Sequence, residues 1–66
     1  MKTVYVLYRK TRDYVAYPFA IDGNLKYVSE MAKMEGVGYT ELPYEEACKV
    51  YDQKLDVLEY LKETKQ

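Results

Sequence analysis

Two segments rich in valine and tyrosine, residues 3–10 and 14–21, flank the polar run Lys10-Thr11-Arg12-Asp13. β-Branched and aromatic residues alternating around a polar turn are the pattern of a β-hairpin. With Arg9 opposite Tyr14, Val4 faces Phe19, Val6 faces Tyr17 and Tyr8 faces Val15 on one side, while Tyr5 meets Pro18 and Leu7 meets Ala16 on the other. The first side makes the better core. Thr11-Arg12 lacks the Asn-Gly or Asp-Gly chemistry of the tightest turns, which favours a looser four-residue loop in that register. Pro18 has no N–H to donate, so the second strand belongs at a sheet edge and the first at its centre.

Beyond the hairpin (3–21), Asp22-Gly23-Asn24 reads as a turn and helix cap. Leu25, Val28, Met31, Ala32 and Glu35 then recur at helical spacing until Gly36 stops the run, which predicts a helix over 24–35. The alternation Val37, Tyr39, Glu41 around Gly38 fits a short strand over 37–42. Pro43 suits a helix start, Glu45 and Glu46 the first turn, and Lys62 and Lys65 the far end, so a long helix is predicted over 43–64. Along it Tyr44, Ala47, Cys48, Val50, Tyr51, Leu55, Val57, Leu58 and Leu61 spread over about 180° of arc at 100° per residue, with Lys54 the one charge intruding.

These elements predict a single α+β domain over 1–66, ordered ββαβα: a mainly antiparallel sheet of two to three strands in order 2-1-3, with two helices on one face. A chain of 66 residues buries only about 60% of its unfolded surface, so little stability is in reserve. The lone Cys48 can form no disulfide within the chain, and a domain this small in an oxidising compartment would ordinarily carry several, which favours a reducing interior. The apolar run Val4–Tyr8 is too short for a signal h-region, and nothing approaches a membrane span of about 20 residues, so the sequence places the protein in the cytoplasm, away from membranes.

Nine tyrosines stand against one phenylalanine, no tryptophan and no histidine, so nearly every aromatic ring carries a hydroxyl that needs a partner or water. Catalysis has little to work with. Histidine is absent, Ser29 is the only serine and has no base near it in sequence, and Cys48 sits at an apolar helical position with no histidine to activate it. No glycine-rich phosphate loop, paired-cysteine zinc spacing or calcium loop occurs, and no cofactor is expected.

Three surfaces could carry recognition. The second hairpin face (Tyr5, Leu7, Tyr14, Ala16, Pro18) is too apolar for water, and self-association would bury it unless the second helix wraps onto it within the chain. On the long helix Glu45, Asp52, Asp56, Glu59 and Glu63 fall within about 60° of one another, an acidic wedge suited either to solvent or to a basic partner. At the hairpin tip Arg9, Lys10 and Arg12 lie beside Tyr8 and Tyr14, the mixture of cations and rings that grips single-stranded nucleic acid, though a solvated turn explains the same residues. The charge is uneven. Residues 1–33 hold six Lys/Arg against three Asp/Glu, and residues 34–66 hold four against eight.

The expectation is therefore a small non-enzymatic interaction protein of the bacterial or phage accessory type, with modulation of a host enzyme as its sharpest form, and a homodimer that also binds a protein partner. Single-stranded nucleic acid is the alternative ligand.

Overall fold

In the computed structural model, which describes residues 2–64, the chain runs β1 (Thr3–Lys10), β2 (Ala16–Asp22), α1 (Leu25–Glu35), β3 (Gly38–Pro43), α2 (Tyr44–Gln53) and α3 (Val57–Thr64). The strands form an antiparallel sheet in order β2-β1-β3. The central place of β1 and the edge place of the strand carrying Pro18 are as the sequence predicts. β3 is a true strand, pairing with β1 from Thr3 opposite Pro43 to Tyr8 opposite Gly38 with no shift.

Helices cover both faces of the sheet, and not one as the sequence pattern suggests. On one face Val4 and Val6 join Ala16, Leu42, Ala47, Val50 and Val57 in the larger cluster, beneath α2 and α3. On the other, Leu7 joins Val28 and Ala32 of α1, with Tyr5, Ala20, Met31 and Val37 packed around them. The connection explains this. β2 and β3 both run antiparallel to β1, so they run parallel to each other across it, and the chain between them crosses over one face as α1. The uninterrupted apolar run Val4–Tyr8 is the sequence trace of a strand buried on both faces.

The hairpin register also differs. Tyr5, Val6 and Leu7 lie opposite Asp22, Ile21 and Ala20; the ladder then shifts, and Tyr8, Arg9 and Lys10 lie opposite Pro18, Tyr17 and Ala16. Phe19 is the extra residue of this bulge. The loop is Thr11–Val15, closed by Thr11 N–H donating to the Val15 carbonyl (2.9 Å) and Tyr14 N–H to the Thr11 carbonyl (3.0 Å). A bulge changes the parity of pairing, so the half of β2 nearest the loop is turned over relative to the expected register while the far half is not. Ala16 and Pro18 thereby face the larger core, and Tyr17 and Phe19 leave it.

The predicted long helix is two. α2 stops at Lys54, which takes a left-handed conformation (φ 52°), and α3 restarts after Asp56. Lys65, assigned to the end of that helix, lies outside the described residues. At the sheet's other edge the ring of Tyr8 lies on the backbone of Gly38: a Cβ built there would come within 2.6 Å of it. A glycine on an edge strand opposite an aromatic ring lets the ring cover the strand, and any larger residue displaces Tyr8 from its packing.

Candidate interaction surfaces

α1 covers Leu7 but not the hairpin end of the same face. There Tyr17 is 47% and Phe19 37% exposed, and with Arg9 and Thr11 they line an open hollow of about 310 Å³. Arg9 shares a cross-strand pair with Tyr17, its guanidinium lies 5.3 Å from the centre of the Phe19 ring, and its Nη2 donates to Glu35 Oε1 at 3.3 Å. The ion pair is exposed on both sides and contributes little stability. Its effect is geometric, since it ties the end of α1 to the rim of the strip and holds a cation against a ring face.

Of the predicted sheet-face set, the structure brings almost nothing together. Leu7 is fully buried under α1; Ala16 and Pro18 are buried on the opposite face; Tyr5 is half-buried beneath α1 and meets Tyr39 edge-on at 6.3 Å. Tyr14 stands apart at 76% exposure. Leu7, Ala16 and Pro18 cannot form an interface while the chain is folded. The residues that replace them, Tyr17 and Phe19, were placed in the core by the register read from the sequence, and the signal for the bulge is faint: a proline followed by a large ring in an edge strand.

Tyr14 occupies the left-handed region (φ 62°) in the hairpin loop, following the tight turn at 11–14. That region costs an L-residue about 1–2 kcal/mol, and a bulky side chain there is an outlier where glycine is the ordinary choice. Its ring projects into solvent with Lys10 Nζ 5.3 Å from its centre. Lys10 and Tyr14 also line a second hollow, of about 350 Å³, whose far wall is Asp56, Leu58, Glu59 and Lys62 of the α3 region. The predicted tip cluster is therefore changed. Arg9, Lys10 and Arg12 are exposed and Tyr14 is with them, but Tyr8 is turned into the core side and half-buried, while Tyr17 and Phe19 take its place near the cations.

The acidic wedge does not survive as one stripe. The break at Lys54 separates Glu45 and Asp52 on α2 from Glu59 and Glu63 on α3. Asp56 is committed to structure: its Oδ1 accepts from the backbone N–H groups of Ala16 (3.2 Å), Leu58 (3.1 Å) and Glu59 (3.3 Å), capping α3 and tying it to β2.

Two phenols are held above their ordinary titration range. Tyr60 donates to Glu46 Oε1 at 2.7 Å, joining α3 to α2, and this bond is the chief cause of its raised pKa, followed by burial. Tyr44 is raised mainly by its neighbour Cys48, one turn along α2. Tyr44 lines an open hollow of about 480 Å³ with Lys2, Glu45 and Glu46, and Tyr60 lines one of about 210 Å³ with Asp56, Glu59 and Glu63. Among the described residues no group of three or more His, Cys, Asp or Glu is gathered closely enough to hold a metal, and no helix is long and apolar enough to cross a membrane.

No protein-family model, curated protein or solved structure matches this chain.

Proposed function

We propose that this chain is a small non-enzymatic interaction module that binds a protein partner through the aromatic strip Arg9, Thr11, Tyr17 and Phe19, in the manner of an accessory protein modulating a larger one. The observation that carries the reading is the pair of half-exposed rings, Tyr17 and Phe19, side by side with Arg9 at the hairpin end of the sheet face on which α1 packs. A domain that must bury apolar area to fold nevertheless leaves two large rings uncovered beside a cation. Aromatic residues and arginine are the side chains that contribute most when a partner excludes water from them. The strip is a better candidate than the acidic helices, because Asp56 already spends its oxygen on three backbone donors.

The test is capture from an extract of the native host. Phe19→Asp and Arg9→Glu should each remove the captured protein while leaving the circular dichroism and the unfolding midpoint near those of the parent. Asp52→Lys on α2 should change nothing. Capture undiminished by Phe19→Asp rejects this surface.

A second reading, single-stranded nucleic acid, is favoured by Tyr17 and Phe19 standing near the cations of the hairpin tip, Arg9, Lys10 and Arg12, in place of the half-buried Tyr8. Against it stand the carboxylates of Asp56 and Glu59 in the wall facing Lys10 and Tyr14. If three cations contact phosphates, the affinity for a labelled oligonucleotide should fall with salt at a log–log slope of about −2. Absence of binding at low ionic strength removes it.

A further inference from the structure

The two edges of the sheet are finished differently. In an antiparallel ladder the backbone groups of alternate residues point to alternate sides. Tyr44 N–H donates to the Lys2 carbonyl at 2.9 Å, extending the β1–β3 ladder by one residue. The even-numbered residues of β3 therefore face β1, and the N–H and C=O groups of Tyr39 and Glu41 point outward. On β2 the same rule turns Ala16 N–H outward, and there it meets Asp56 Oδ1. Pro18 has no N–H to offer, and the bulge at Phe19 bends the strand. A capped donor, a proline and a bulge are the devices by which proteins prevent strand addition. β3 has none of them between Gly38 and Leu42: its pairing is unshifted, it carries no lysine, and its one proline stands at the last position.

We propose that β3 pairs antiparallel with β3 of a second copy, centred on Thr40, so that two three-stranded sheets join as one of six. The register follows from the sequence Gly38-Tyr39-Thr40-Glu41-Leu42. A two-fold pairing centred on Thr40 sets Tyr39 opposite Glu41 of the other copy, and all four outward N–H groups of the pair find outward carbonyls. Thr40 meets Thr40 at the closely spaced position, a favourable pair, and each Glu41 carboxylate lies beside a tyrosine. Centring on Glu41 instead would oppose two carboxylates directly and bring Tyr39 to Pro43, which cannot donate. Centring on Tyr39 would carry Glu41 off the strand to residue 37. The edge thus fits itself in one register. This surface is separate from the aromatic strip, which lies toward β2, and neither proposal depends on the other.

Sedimentation equilibrium from about 1 µM to about 1 mM, a range that covers weak and moderate dimers, should show a monomer–dimer equilibrium. Amide hydrogen exchange over the same range should slow at Tyr39 and Glu41 together as concentration rises, while the inward amides of Thr40 and Leu42 stay protected throughout. Glu41→Pro, which removes an outward donor and leaves the β1 ladder intact, should weaken association at least tenfold, and Glu41→Gln should change it less than threefold. A monomer across the whole range overturns the proposal. So does a dimer in which the Tyr39 and Glu41 amides exchange as fast as in dilute solution, since that dimer uses another surface. The exchange measurement needs no variant, so the test stands even if Glu41→Pro fails to fold.

Discussion

α1 and α2 end in the same hydrogen-bonded geometry with very different residues at its pivot. After α1, Gly36 takes φ 66° and Val37 N–H reaches back to the Ala32 carbonyl at 3.0 Å. After α2, Lys54 takes φ 52°, its own N–H meets the Tyr51 carbonyl, and Leu55 N–H reaches the Val50 carbonyl at 3.0 Å. In both the residue that follows packs onto the core the helix has just left, Val37 beside Ala32 and Leu55 beside Val50. The difference is what makes each stop obligatory. A glycine reaches the left-handed region without steric cost, so the first helix ends for local reasons. A lysine does not, so the second is ended by what lies beyond: Leu55 half-buried against the larger cluster, and Asp56 positioned to cap α3 and to hold Ala16 of β2.

If the second stop is enforced from outside, removing the enforcer should cost more than altering the pivot. Asp56→Ala deletes the cap of α3 and strands the outward Ala16 N–H, an expected loss of about 2–3 kcal/mol in urea denaturation. A loss as small as that of an exposed surface change would mean that α3 is held by packing alone. Gly36→Ala forces an L-residue into the same conformation and should cost about 1–2 kcal/mol.

The contact between the two segments on either side of the break gives a milder effect with a pH signature. Tyr60→Phe loses the bond to Glu46, about 1 kcal/mol at neutral pH. Because the fold raises the phenol above its ordinary value of about 10, the neutral form is the stabilised one. That contribution is complete below pH 10 and fades as pH rises through the raised value. The parent should accordingly lose more stability than Tyr60→Phe on alkaline titration, and equal slopes would show the bond to be energetically silent. The smallest change has the opposite sign. Lys54→Gly relieves the strained pivot, and after the greater entropy of unfolded glycine is set against it, it should stabilise by about 0.5 kcal/mol. Stabilisation greater than the loss at Gly36→Ala would show that Lys54, and not the chain beyond it, limits the second stop.

The features written in local chemistry were legible in the sequence. Asn24 caps α1, its Oδ1 accepting from Tyr27 N–H at 3.2 Å, and Gly36 ends it, both as the residue types predict. Pro18 marks an edge strand and Pro43 the entry to α2. An aspartate at 56 followed three residues later by Glu59, ahead of an apolar run, fits a helix start, but nothing local ends the preceding helix at Lys54, since lysine carries no stop signal of its own. The candidate strip was not legible. Whether Tyr17 and Phe19 face the core or solvent depends on one extra residue in β2, and at a period of two a single insertion reverses every side chain up to the next turn.

By itself the sequence determined the three strands, the first helix, the central place of β1, the caps at Asn24 and Gly36 and the shortage of catalytic groups, because each rests on a residue's own conformational preference or functional group. Only the tertiary structure decided which face each half of β2 presents, that α1 closes the side of Leu7, and that the helix after Pro43 breaks at Lys54. Those outcomes depend on contacts between residues far apart in the chain, Asp56 with Ala16 and Leu7 with Val28, whose energy no single segment contains.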